Sequence, residues 1–188
     1  MGYNDGLRQV AETLPIKAGK ILVTGATGLI GSCCIDALLY ANEYCGCRFE
    51  IFALGRSQEK ISKRFKGKVT PVVQDVVMPL TLDVVFDYII HAASNADPKM
   101  YALQPAETIL TNVIGTKNVL EYCKKNIDTR LLLTSTFEVY GKIDGIDVYS
   151  ENMVGLVDFH MLRNGYTEVS GAPRCLSTAI LMNMELTL

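Results

Sequence analysis

Apolar residues fall into five short runs: KILVTG at 20–25, FEIFALG at 49–55, KVTPVV at 68–73, FDYIIHAA at 86–93 and RLLLTST at 130–136. Longer stretches with helical spacing separate them, at 28–42, 57–65 and 105–124. Runs that are apolar throughout, rather than alternating, belong to strands buried on both faces. This is the pattern of a parallel sheet covered by helices. Successive β-α-β units with right-handed crossovers predict an α/β, doubly wound parallel sheet. A short amphipathic helix precedes the first strand and ends near Pro15. The expected organisation is a helical extension over 1–19, the sheet domain over 20–168 and an atypical tail over 169–188. There is no internal repeat, low-complexity tract or long linker.

Composition narrows the partners. The 188 residues are 49% hydrophobic and 20% charged, with a formal net charge of -2. That balance gives no electrostatic reason to expect nucleic acid or an anionic membrane. No run of about 20 apolar residues is present, so no membrane span is expected. The first twenty residues mix charges and lack an apolar signal core, which points to the cytoplasm. Six cysteines (Cys33, Cys34, Cys45, Cys47, Cys123 and Cys175) show no C-x2-C spacing. With only two histidines to help, they read as reduced thiols, and no metal site is expected.

The strongest local signal is VTGATGLIG at 23–31. A strand ends at Thr24, glycines follow at Gly25, Gly28 and Gly31, and an apolar helix opens at once. The first glycine permits a tight turn, the second lets backbone approach a pyrophosphate, and the third lets helix and strand pack closely. The helix N-terminus, with Thr27, Leu29 and Ile30 around it, offers free N–H groups and a positive dipole end.

The G-x-x-G-x-x-G spacing resembles the extended short-chain dehydrogenase/reductase superfamily, and further matches follow in order along the chain. Asp75 and Val76 resemble the acidic position that contacts the adenine. HAAS at 91–94, with Ala92, Ala93 and Ser94, resembles the fourth-strand end that runs beside the cofactor. Asn112 in TNVIGTKNVLE resembles the family's helix asparagine. LLLTSTFEVYG at 131–141 resembles its fifth strand and S-S-x-x-V-Y-G signature. Together these span 21–166 and are most similar to the sugar-nucleotide epimerase/dehydratase group. The resemblance implies a Rossmann fold, a nicotinamide dinucleotide, a nucleotide-sugar substrate and a homodimer built through two helices per subunit. The helix at 105–124 and the segment at 159–166 are the candidate dimer helices.

NAD-preferring relatives place an acid after the second strand to bond the ribose 2′-hydroxyl. Here Gly55-Arg56-Ser57 stands instead. A guanidinium and a hydroxyl can take a 2′-phosphate, so of NADP and NAD the sequence leans to NADP. The alternative for Arg56 is a solvated loop residue.

The resemblance also implies a catalytic set. Thr136 takes the place of the hydroxyl that positions the substrate oxygen, and Tyr166 that of the tyrosine general base. A lysine four residues on would lower that phenol's pKa from about 10, but Ser170 stands there. The remaining tail, VSGAPRCLSTAILMNMELTL, departs from the family, and the sixth strand and substrate lobe are missing. The loss of one base just after the Glu168 codon would account for this. In the alternative frame, Met182-Asn183-Met184-Glu185 reads Glu, Tyr or His, then Gly. Val169-Ser170-Gly171 can read Lys-Arg in the same frame, restoring the lysine. The expectation is the NAD(P)-binding domain of a sugar-nucleotide enzyme, catalytically impaired as it stands. The alternatives are a non-catalytic dinucleotide-binding module, in which Ser170 is genuine, and a truncated product without a role of its own.

Overall fold

The structure, a computed structural model, describes residues 2–95, 103–150, 152–158, 160 and 170–172. Five parallel strands form its centre: β1 (Ala18–Thr24), β2 (Arg48–Gly55), β3 (Thr70–Val73), β4 (Tyr88–His91) and β5 (Arg130–Leu133). Their order is β3-β2-β1-β4-β5. The chain steps outward from β1 to β3, returns to the other side of β1 at β4, and continues to β5. This is the doubly wound arrangement the apolar runs predict. Its reversal point lies at the C-terminal ends of β1 and β4, where such sheets leave a crevice.

The apolar strands divide their side chains between two cores, since successive residues point to opposite faces. Ile21 and Val23 of β1, with Phe49, Ile51 and Ala53 of β2, pack on one side. There they meet Ile35, Leu38 and Ala41 of α2 (Leu29–Tyr44) and Ile61 and Phe65 of α3 (Gln58–Phe65). Leu22, Leu54 and Ile89 face the other way, with Phe86, against Val119 and Tyr122 of α4 (Pro105–Lys125). The central strands β1 and β4 thus bury apolar side chains on both faces, whereas the edge strands β3 and β5 leave Val73 and Leu132 more than half exposed. The expected N-terminal helix is α1 (Tyr3–Thr13), which buries Ala11 completely in the first core. Tyr3 and Arg64 both bond the Asp36 carboxylate, tying α1 and α3 to α2.

Two contacts place α4 over the sheet. Gly115 lies so close to the segment after β3 that a Cβ there would come within 2.8 Å of Val76 Cγ1. One turn further on, Asn118 Nδ2 donates to the Val76 carbonyl at 3.0 Å. A side chain larger than hydrogen at 115 would lift the helix from the wall that Val76 forms. Gly115→Val is expected to cost about 1–3 kcal/mol through overpacking, measured as a fall in the urea midpoint with an unchanged slope.

Candidate functional site

The turn after β1 is built from main chain packed on main chain. Gly25 has a φ of +66°, and a Cβ there would stand 2.5 Å from the Ala92 carbonyl oxygen. A Cβ on Gly31 would collide with the Gly25 carbonyl. Between them, Gly28 N donates to Gly25 O at 2.9 Å and closes the turn. Gly28 is also the N-cap of α2 and supplies no side-chain acceptor. First-turn N–H groups of an α-helix lack partners in their own helix, so this end can receive an anion from outside the chain. The end of β2 is capped differently: Ser57 Oγ accepts from Lys60 N at 3.3 Å and closes the first turn of α3.

A cleft of about 250 Å³ opens over this turn. Gly25, Thr27 and Gly28 form its floor, and Arg56, exposed at the end of β2, stands at its rim. Asp75 and Val76 wall it beyond β3, and Ala92, Ala93 and Ser94 beyond β4. Among the described residues no carboxylate forms an ion pair with Arg56. The Asp75 carboxylate accepts from Val77 N at 3.2 Å, which holds the wall in a tight local turn.

Beneath the cleft lies a buried polar chain. Thr24 Oγ1 lies 2.7 Å from His91 Nδ1, and His91 Nε2 lies 3.2 Å from Thr116 Oγ1 on α4. Thr24 Oγ1 also accepts from the N–H groups of Ala92 and Ala93, both at 3.2 Å. Burial pushes the His91 pKa from 6.5 down to about 4. Asn112, also buried, leaves its Nδ2 without a hydrogen-bond partner.

The structure thus gathers most of the predicted cofactor residues around one cleft, and the exceptions are informative. Leu29 and Ile30 are exposed on the first turn of α2, and Gly31 is buried beneath it. Asn112 points into the interior, and its neighbour Thr111 lines the cleft. Leu54, Gly55, Gln74 and Asn95 also line it, and sequence reasoning missed them. Gly55, Gln74 and Asn95 each flank a residue that was read, and Leu54 lies two positions before Arg56, at the buried end of β2. Thr136 is half-buried past β5, where its hydroxyl accepts from Glu138 N at 3.4 Å and caps a short 3-10 helix (Phe137–Tyr140). It does not line this cleft. Tyr166 and most of the tail lie outside the described residues; Ser170 sits in a short helical stretch at 170–172.

The donor set fits a dinucleotide: a glycine turn that a Cβ would fill and an uncapped helix end at the cleft floor. Fold and cleft together define a doubly wound α/β protein with a phosphate-type cradle at its reversal point. The sequence profile of the NAD dependent epimerase/dehydratase family matches residues 21–163, and the chain belongs to that family. UDP-glucuronic acid decarboxylase 2 of Arabidopsis thaliana is 37% identical over 125 residues, covering 66% of this chain and 27% of its own length. UDP-glucuronic acid decarboxylase 6 of the same plant is 39% identical over 123 residues, covering 65% of this chain and 35% of its own length. This chain therefore spans about a third or less of these relatives. Among solved structures, dTDP-glucose 4,6-dehydratase of Bacillus anthracis in complex with NAD superposes with a TM-score of 0.68 at 21% identity. It covers 89% of this chain and 52% of its own. The UDP-Glc/GlcNAc 4-epimerase of Campylobacter jejuni gives 0.66 at 20% identity, covering 87% of this chain and 49% of its own. At such identities the superpositions speak for the fold. Among the described residues no helix is long and apolar enough to cross a membrane.

The buried histidine sets a pH dependence. Its folded pKa lies below the value of 6.5 it has when exposed, so the unfolded chain binds the extra proton first. Stability from this group is complete above about 6.5 and is lost as pH falls toward about 4, by roughly 3 kcal/mol in all. His91→Asn, which cannot take the proton, should flatten this part of the urea-midpoint profile between pH 6.5 and 4. An unchanged slope would assign the loss to other groups.

Proposed function

We propose that this chain is the NAD(P)-binding domain of a nucleotide-sugar epimerase/dehydratase-type protein. The observation that carries this reading is the cradle at 25–31, set at the reversal point of the sheet and opening on the cleft. Its helix end takes the pyrophosphate. Asp75 bonds the adenine, and the main chain at Ala92–Ala93 and Ser94 runs beside the dinucleotide. When bound, the nicotinamide supplies a hydride acceptor for a sugar carbon. The names of the decarboxylases above make UDP-glucuronic acid the first substrate to try.

Cofactor choice rests on Arg56. Its side chain stands at the cleft rim where NAD-preferring relatives carry an acid. A guanidinium there can hold a 2′-phosphate bidentately, so NADP is favoured over NAD. Arg56→Glu should raise the dissociation constant for NADPH about tenfold or more, and that for NADH by less, in fluorescence titrations. Equal losses for both would remove the argument. Gly31→Val, which drives a side chain into the Gly25 carbonyl, should abolish binding of either.

In the proposed catalytic set, Thr136 positions a substrate oxygen and Tyr166 acts as base. With Ser170 in the lysine position, that position supplies no cation to lower the phenol's pKa. The chain should therefore bind dinucleotide and turn over no UDP-glucuronic acid above background, followed as CO2 release. Turnover by the 188-residue chain would overturn the impairment. A shifted reading frame after Glu168 accounts for the tail, and sequencing the gene across that codon tests it. The second reading, a dinucleotide sensor without catalysis, is favoured by the same serine if the codon stands. The free thiols at Cys33, Cys34, Cys45, Cys47 and Cys123 suit a reducing compartment such as the cytoplasm.

The proposed homodimer uses α4. Leu110 and Ile114 lie one turn apart on its outer face, 49% and 36% exposed, with Ile109 beside them. Leu110→Glu with Ile114→Glu should convert a dimer to a monomer in sedimentation velocity, with dinucleotide binding retained.

A further inference from the structure

Thr24, His91 and Thr116 are 0%, 3% and 1% exposed, so no water competes for their hydrogen bonds. Their protons can be assigned by counting. A hydroxyl oxygen has one proton to give and two lone pairs to fill. The N–H groups of Ala92 and Ala93 occupy both lone pairs of Thr24 Oγ1. The 2.7 Å contact to His91 Nδ1 is therefore a donation from the Thr24 hydroxyl to a bare nitrogen. The imidazole proton then sits on Nε2 and is donated to Thr116 Oγ1. The His91 main chain is fixed from the other side, where Thr134 N and Oγ1 both donate to its carbonyl, at 3.1 and 3.0 Å. The groups facing the ring from β1 and α4, and facing its backbone from β5, are threonines and a leucine, none of them charged.

We propose that His91 is a positioning residue for the cleft: as a neutral Nε2–H imidazole it holds the Thr24 hydroxyl as a double acceptor and so pins Ala92–Ala93 against Gly25. This rests on reading the cleft as a dinucleotide site. The reason is geometric. The Ala92 carbonyl lies where a Cβ on Gly25 would touch it, so the cradle turn and the fourth-strand loop share one surface. A proton on Nδ1, in the other tautomer or the imidazolium, would need a third lone pair on Thr24. One of the two alanine amides would then have to leave. An apolar ring at 91 would fill the space and leave the Thr24 proton without an acceptor.

The test begins without ligand, on the full chain. Long-range ¹H–¹⁵N NMR should show the His91 ring as the neutral Nε2–H tautomer at pH 7 and still at pH 5.5. An Nδ1–H tautomer, or protonation at pH 5.5, would overturn the proposal. His91→Asn keeps an acceptor in the place of Nδ1, and His91→Phe keeps bulk alone. At matched global stability, the Ala92 and Ala93 amides should exchange with solvent at least tenfold faster in the Phe variant than in the Asn variant. Equal exchange rates would also sink the idea. NADH and NADPH titrations complete the test. The Phe variant should bind at least tenfold more weakly than the wild type, and the Asn variant within threefold of it; equal affinities again overturn the role. Absence of binding by the wild-type chain strikes the dinucleotide reading instead, while the tautomer and exchange results still decide whether His91 holds the loop. Should the Phe variant not fold, Thr24→Val against Thr24→Ser repeats the exchange and binding comparison, with faster exchange and weaker binding expected of valine alone.

Discussion

Main chain touching main chain around Gly25 is the constraint from which the rest of this fold takes its shape. The carbonyl of Gly25 lies under Gly31 at the start of α2, and its own α-carbon lies against Ala92 at the end of β4. No side chain intervenes at either place. The axis of α2, the exit of β1 and the loop after β4 are thereby fixed relative to one another with little tolerance. Close-packed interiors transmit such constraints because they have no slack to absorb them. The cleft is what remains open above this junction.

Two different economies support the junction from the two faces of the sheet. On the α2 side, dispersion among aliphatic side chains does the holding, and α1 seals it with Ala11. On the α4 side, the core is more polar. Asn118 binds a carbonyl, Tyr122 receives Phe86 N and donates to Val84 O, and Thr116 meets His91. Buried polar groups cost little when every partner is present. They also specify position more sharply than aliphatic contacts, which tolerate sliding. The α2 side has directional bonds too, from Asn42 to the Phe49 main chain and from Tyr3 and Arg64 to Asp36, but they lie nearer the surface.

Sequence made the sheet legible because its central strands are buried on both faces, although the equally apolar run of β5 leaves Leu132 exposed at the edge. It overstated β4. The run at 86–93 is largely apolar, but the strand itself covers only Tyr88–His91, since Ala92 and Ala93 bend back to Thr24. Ser57 stands just before a helical pattern, a signature of capping, and in the structure it caps. Beside Arg56 the same hydroxyl also reads as a contact for a 2′-phosphate. Asn112 and Thr111 are adjacent in sequence, and only the helix rotation decides which of them faces the cleft. The Thr24–His91–Thr116 chain could not be read at all. Its members lie far apart in sequence and meet through the register that sets Thr24 beside His91. The proposed base, Tyr166, lies outside the described residues, so the catalytic half of the site rests on resemblance alone.

The crossover that places β4 beside β1 also dictates an order of assembly. Thr24 and His91 are 67 residues apart, while β1 and β2 pair across a single helix. The first βαβ unit can therefore close early in synthesis, as local contacts carry the smaller loop entropy. The cleft has only its floor at that stage. It gains its second wall when β4 has emerged and docked, so nascent chains shorter than this hold no complete pocket. A small molecule that spans floor and wall binds the assembled sheet and not its precursors, and by mass action its concentration in the cell draws the late docking step to completion.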